Sequence, residues 1–155
     1  MKFGSIGTSW ICEAYLSAAE KQGGMEYTAA YSRSKETGIV FAEKHGAEIV
    51  FTDLKEMAQS DLIEAVYIAS PNRFHYEQSK LFLSHGKHVM CEKPMTTTKE
   101  EEAELISLAE QKGLVYTEAI MSIHTPAFKT LRQAIRQIGT IRTVNLVFCQ
   151  LYQTS

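Results

Sequence analysis

An acid, a base and a proline follow one another at Glu92-Lys93-Pro94, directly after the short apolar run Val89-Met90-Cys91. The run has the length of a buried strand, and Gly86, just before Lys87 and His88, stops the segment that precedes it. In an open α/β sheet, ligands bind outside the carboxyl ends of the strands. A lysine there is placed to reach a substrate with a cationic hydrogen-bond donor, and a proline beside it to fix its direction. Lys93 then needs something to work on.

The segment Gly7-Thr8-Ser9-Trp10-Ile11-Cys12 offers a way to deliver it. It lies between a strand-like and a helix-like stretch, where a G-x-G-x-x-G/A turn would bring backbone N–H groups and a helix N-terminus against a pyrophosphate. Only the first glycine is present. Ser9 takes the second position and Cys12 the third; both are small, so close backbone approach and tight helix packing remain feasible. Gly7, Thr8, Ser9, Trp10 and Ile11 are therefore candidate dinucleotide-binding residues.

The end of the second strand usually carries an acid that bonds the adenine ribose 2′-OH. Here the chain reads Tyr31-Ser32-Arg33-Ser34-Lys35, with no acid until Glu36. A hydroxyl at Ser32 followed by the planar fork of Arg33 suits a 2′-phosphate, which favours NADP, with NAD as the alternative. After the fourth strand come Ser70, Pro71, Asn72 and, in the next helical turn, His75. Pro71 breaks the strand and Asn72 is a good N-cap. A capped helix start accounts for these residues; a functional role would lay the loop along the cofactor's outer edge.

These segments need positioning, and the chain alternates short β-type runs with longer helical ones. Lys2 to Gly7 reads as a strand, and Trp10 to Lys21 as a helix whose Ile11, Ala14, Tyr15, Ala18 and Ala19 have the spacing of a buried face, ended by Gly23-Gly24. Strands are expected at Tyr27 to Tyr31, Ile49 to Phe51, Ala65 to Ala69 and Leu114 to Thr117, besides the one before Glu92. Helices are expected at Lys35 to His45, after Asp53, at Phe74 to Ser84, Thr98 to Gln111 and Pro126 to Gln137, the last closed by Gly139. Asp53 with Glu56, and Thr98 with Glu101, have the form of capping boxes. Six strands with intervening helices give an α/β fold, a doubly wound parallel sheet. Val144 to Phe148 reads as one more strand, the first of another sheet, as expected if the chain is part of a larger protein.

Composition narrows the function classes. The 155 residues are 45% apolar and 22% charged, with a net charge of −2, which is ordinary for one soluble domain. There is no basic tract for nucleic acid and no apolar run long enough for a membrane span. The start has no signal-peptide pattern. Cys12, Cys91 and Cys149 each lie among apolar neighbours and read as buried free thiols in a reducing cytosol, not as a metal site. A cytoplasmic protein is expected.

With these pieces in order, the chain resembles the Gfo/Idh/MocA family of glucose–fructose oxidoreductase and inositol dehydrogenase. The carrying segments are Ile6-Gly7-Thr8, Ser70-Pro71-Asn72 with His75, and Gly86-Lys87-His88-Val89 running into Cys91-Glu92-Lys93-Pro94. Glu118-Ala119 with Met121 and Pro126 is similar to its dihydrodiol dehydrogenase-like branch. The resemblance implies a Rossmann domain over residues 1–120, with 121–155 a connecting helix and the start of a truncated C-terminal α/β domain. It implies an NAD(P)-dependent oxidoreductase of a sugar, cyclitol or dihydrodiol-type hydroxyl or carbonyl; a non-catalytic nucleotide-binding module of the same fold is the alternative. It makes Lys93 catalytic, beside the nicotinamide, either polarising a carbonyl or helping remove a hydroxyl proton. Glu92 would orient Lys93 or contact the cofactor, and Pro94 would fix the loop. The small-molecule substrate would be bound mainly by the second domain, which often mediates homo-oligomers and supplies a histidine that none of His45, His75, His85, His88 or His124 matches. Ser9, Cys12 and Ile123 depart from the family pattern, the last replacing a frequent arginine.

Overall fold

The computed structural model describes residues 1–147. Two compact units divide at Ala119 and Ile120. The first is a parallel sheet in which six strands are ordered β3-β2-β1-β4-β5-β6: β1 Lys2–Ile6, β2 Glu26–Tyr31, β3 Ile49–Phe51, β4 Ala65–Ile68, β5 His88–Cys91 and β6 Tyr116–Glu118. The helices between them are α1 Trp10–Gln22, α2 Lys35–His45, α3 Leu54–Gln59, α4 His75–Ser84 and α5 Lys99–Lys112. The chain steps outwards from β1 to β3, then crosses back to β4 on the other side of β1. That reversal leaves a crevice at the carboxyl ends of β1 and β4.

Alternation along the strands builds two cores. Ile6, Val66, Ile68, Val89 and Cys91 face Met57 of α3, Phe82 and Leu83 of α4, and Leu105 and Ala109 of α5. Phe3, Ala30, Ala65 and Tyr67 face Cys12, Leu16 and Ala19 of α1 and Phe41 and Ala42 of α2. All four residues of β4 are buried, as expected for a central parallel strand covered on both faces. The exposed side of α1 differs from expectation by a small rotation. Ala14 and Ala18 are exposed, and the buried stripe is Cys12, Leu16 and Ala19, with Tyr15 beside it. Alanine carries little apolar area, so the larger Leu16 sets which side faces the sheet.

Helix ends follow their local chemistry. Thr98 and Glu101 form a complete capping box on α5. At α3 only half of the expected box forms: Asp53 Oδ1 accepts from the N–H groups of Lys55 and Glu56, at 2.6 and 3.0 Å. No return bond from Glu56 is found among the described residues. Gly113 ends α5 in the left-handed conformation, and the Leu114 N–H closes back on Ala109. Leu114 thus serves the helix end, and β6 starts two residues later than expected.

The second unit opens with a 3-10 turn, Met121–His124, and α6, Pro126–Ile135. Thr125 caps α6 by accepting from the Phe128 N–H, with Pro126 at its first position. The helix stops short of Gln137 and of Gly139. The strand expected at Val144 is not formed: residues 141–147 hold no helix or strand. A strand needs a ladder partner, and no described segment pairs with this one. Phe148 and Cys149 lie outside the described residues.

Candidate functional site: a cleft at the strand reversal and a lysine beside it

The crevice between β1 and β4 is a cleft of about 540 Å³, walled by Gly7, Thr8 and Ser9 after β1, Ser32 and Arg33 after β2, and Ser70 and Pro71 after β4. Seven residues singled out from three separate stretches of sequence therefore meet in one place. Gly7 has φ +116°, and a Cβ there would lie 2.7 Å from the Ala69 carbonyl oxygen. Both backbone conformation and close approach demand glycine. Ser9 is the N-cap of α1, yet its hydroxyl makes no capping bond, so the first-turn N–H groups of that helix are left to another acceptor. Cys12 is fully buried against the sheet, which explains why a small residue suffices where a third glycine is usual. Burial pushes its thiol up to about 11, so it stays protonated at neutral pH. Trp10 is exposed and, like Ile11, does not line the cleft; their contribution lies in the backbone at the helix start.

At the end of β2, the buried Ser32 is pinned by its N–H to the Phe51 carbonyl at 3.1 Å. Arg33 is exposed and has no ion-pair partner among the described residues. The nearest downstream acid, Glu36, is engaged by the Ser34 hydroxyl at 2.7 Å. Ser34 also caps α2 by accepting from the Thr37 N–H. Ile6 and Ala69 close the strand ends, and Tyr31, Ser34, Thr37, Leu54, Phe74 and Gln78 complete the wall. Sequence reasoning did not single out the last six; the capping pattern at Ser34 was the one signal that could have found any of them.

The loop after β4 departs from expectation at Asn72. Asn72–Phe74 is a 3-10 turn closed by the Phe74 N–H on the Pro71 carbonyl at 2.9 Å, so α4 starts at His75 without a side-chain cap. Asn72 does not line the cleft. His75 is wholly buried, with Nδ1 2.7 Å from the Pro94 carbonyl oxygen and Nε2 2.8 Å from that of Ser70. Its ring ties the loop after β4 to the loop after β5 and offers no free edge to a ligand.

That second loop carries Glu92, Lys93 and Pro94, joined by a cis Lys93–Pro94 bond. It leaves the sheet at the carboxyl end of β5, beside β4, just outside the cleft wall. Lys93 is exposed, and its ammonium has no protein partner among the described residues. The backbone around it is held closely. Glu92 Oε1 accepts from the Tyr67 hydroxyl at 2.7 Å and Oε2 from the Lys93 N–H at 3.3 Å. The Met95 N–H donates to Glu118 Oε1 at 3.1 Å. Burial, and next its bond to Glu92, push the Tyr67 phenol above its ordinary value, so it remains a donor. Among the described residues no cluster of three acidic, His or Cys side chains is arranged to hold a metal.

A doubly wound sheet with its cleft at the reversal between β1 and β4, and a glycine turn opening α1, defines a dinucleotide-binding Rossmann domain. The chain belongs to the GFO_IDH_MocA oxidoreductase family: the family model, described as having an NAD-binding Rossmann fold, matches residues 1–120. Over 150 residues it is 46% identical to scyllo-inositol 2-dehydrogenase (NADP(+)) IolU of Bacillus subtilis, a match covering 97% of this chain and 46% of that protein. Over 150 residues it is 43% identical to the uncharacterized oxidoreductase YgjR of Escherichia coli, again 97% of this chain and 46% of the other. Among solved structures, the 3-ketoreductase KijD10 of Actinomadura kijaniata, in complex with NADP and TDP-benzene, superposes with a TM-score of 0.83 at 30% identity, over 88% of this chain and 42% of that one. The chain spans about half the length of the curated relatives it matches.

Proposed function

We propose that this chain is the cofactor-binding part of an NADP-dependent oxidoreductase acting on a sugar, cyclitol or dihydrodiol-type hydroxyl or carbonyl, with NAD as the alternative cofactor. The observation that carries the reading is the exposed Lys93 ammonium, unpaired among the described residues, one strand away from a cleft whose glycine turn admits no side chain. The residues fit the cofactor. Gly7, Thr8 and Ser9, with the backbone of Trp10 and Ile11, would take the pyrophosphate; Ser32 and Arg33 would take the 2′-phosphate. Ser70, Pro71 and Asn72 would follow the outer edge, supported from beneath by His75, and Glu92 and Lys93 would lie beside the nicotinamide. When bound, the nicotinamide supplies or accepts the hydride. The Lys93 Nζ–H groups would hydrogen-bond the substrate oxygen, polarising a carbonyl in reduction and stabilising the developing alkoxide in oxidation. NADP in the name of IolU and in the KijD10 complex supports the cofactor choice.

In this reading residues 1–120 form the cofactor domain, and 121–155 begin a second α/β domain that supplies most substrate contacts and a homo-oligomeric interface. A cytoplasmic setting is supported by the buried free thiols of Cys12 and Cys91. Titration with NADPH and NADH, followed through the exposed Trp10 beside the turn, tests the proposal. Tighter binding of NADPH is expected; binding of neither nucleotide below about 1 mM overturns it.

A further inference from the structure

We propose that Tyr67 is a positioning residue for Lys93, acting through Glu92; this rests on the reading of Lys93 given above. Tyr67 is the one polar-tipped residue of β4, among Ala65, Val66 and Ile68, and only 2% of it is exposed. A phenylalanine would fill the same space with no hydroxyl to satisfy. A buried phenol that is present must find a partner, and this one finds Glu92.

The hydroxyl is fixed before it meets the carboxylate. The Tyr67 ring stacks on Tyr15 of α1, with centroids 3.9 Å apart and planes within 13°. Two torsions and one stacked neighbour leave the oxygen little freedom. Its 2.7 Å bond to Glu92 Oε1 is a hydrogen bond to a charged acceptor, the stronger kind. Both Glu92 oxygens are thereby engaged, by the Tyr67 hydroxyl and the Lys93 backbone N–H, and no ion pair joins Glu92 to Lys93 Nζ. Tyr67 thus has two effects. It anchors the backbone from which Lys93 projects, and it keeps the adjacent carboxylate from pairing with Nζ, so that the ammonium remains available to a substrate oxygen. Because Tyr15 lies on α1, whose N-cap Ser9 walls the cleft, the lysine is indexed to the helix that starts at the Gly7 turn.

Tyr67→Phe, Glu92→Ala and the double variant test the proposal, with two readouts. Amide exchange of Lys93, followed by NMR on this chain, is expected to accelerate about tenfold in Tyr67→Phe while core amides such as those of Val66 and Val89 keep their rates. In the full-length protein, kcat is expected to fall about tenfold with the KM for NADPH unchanged. In the Glu92→Ala background the tyrosine substitution should add little, since both act through one link. Unchanged Lys93 exchange and kcat in Tyr67→Phe, or a uniform acceleration of all core amides, overturns the proposal. Should Tyr67→Phe fail to fold, Glu92→Ala alone decides, because Glu92 is only partly buried; wild-type exchange and kcat there also overturn it. Failure of the parent reading is distinguishable: Lys93→Ala would then leave turnover intact, whatever Tyr67→Phe does.

Discussion

Two lysines six residues apart flank β5, and they have opposite environments. Lys87, at the amino end, is 8% exposed, and its ammonium donates to the Ser60 carbonyl at 2.7 Å. Beside it, His88 Nδ1 accepts from the Val115 N–H at 2.9 Å. Lys93, at the carboxyl end, is exposed and has no protein partner among the described residues. Within one short stretch, the first lysine is a structural tie and the second projects into solvent. What separates them is the direction of the strand. Parallel strands all point the same way, so loops that can shape a ligand site gather at one end and closed, short connections at the other.

This contrast can be broken by substitution. Lys93→Ala in the full-length protein is expected to lower turnover by about 10²–10⁴-fold, while shifting the unfolding free energy by no more than about 0.5 kcal/mol. Turnover measured alongside a denaturant melt checks both halves; undiminished turnover would leave a nucleotide-binding module. Lys87→Met should show the reverse. It keeps much of the apolar stem but strands the Ser60 carbonyl, costing about 1–3 kcal/mol in denaturant unfolding, with NADPH affinity unaltered. Equal behaviour of the two variants would mean that strand direction does not divide their roles.

Smaller effects sharpen the picture of the cleft. Arg33→Ala should weaken NADPH by roughly 1.5–3 kcal/mol, the value of a hydrogen bond to a charged group, and NADH hardly at all; paired fluorescence titrations would reveal it, and an equal loss for both would remove the 2′-phosphate assignment. The least effect concerns the buried thiols. Burial pushes Cys12 up to about 11 and Cys91 to about 12, whereas an unfolded thiol ionises near pH 8.5. Above that pH the unfolded chain loses protons that the folded one keeps, so this contribution to stability is complete below about pH 8.5 and declines as pH rises towards 11 and 12. Urea midpoints at pH 7.5 and 9.5 should fall in that order, and less steeply for a Cys12→Ser variant.

The polar residues of the site were legible to different degrees. Gly7, Ser32, Arg33, Ser70 and Pro71 stood out because turn chemistry, or a missing acid, makes them odd where they occur. Asn72 was found but given the wrong geometry, whereas His75 was placed in the right helical turn without its burial. The 3-10 turn closing on Pro71 displaced the cap, and a burial that no pattern announces made His75 a brace. Tyr67 was missed because Ala65 to Ala69 was read only as a strand. Its hydroxyl was the signal, since a buried phenol needs an acceptor. Val144 to Phe148 had strand-like residues, yet 144–147 form no strand, because a strand is a property of two segments.

The sequence by itself determined the alternation of strands and helices, the two-faced burial of β4, the glycine turn and the lysine at the end of β5. Those are local facts, set by side-chain period, chain stiffness and the conformational freedom of glycine. Only the tertiary structure decided which of two similar lysines is tied and which is exposed, that His75 links two loops, and that Tyr67 holds Glu92. Each of these depends on contacts between residues 19 to 27 positions apart, and burial and hydrogen-bond satisfaction across such distances exist only once the sheet has formed.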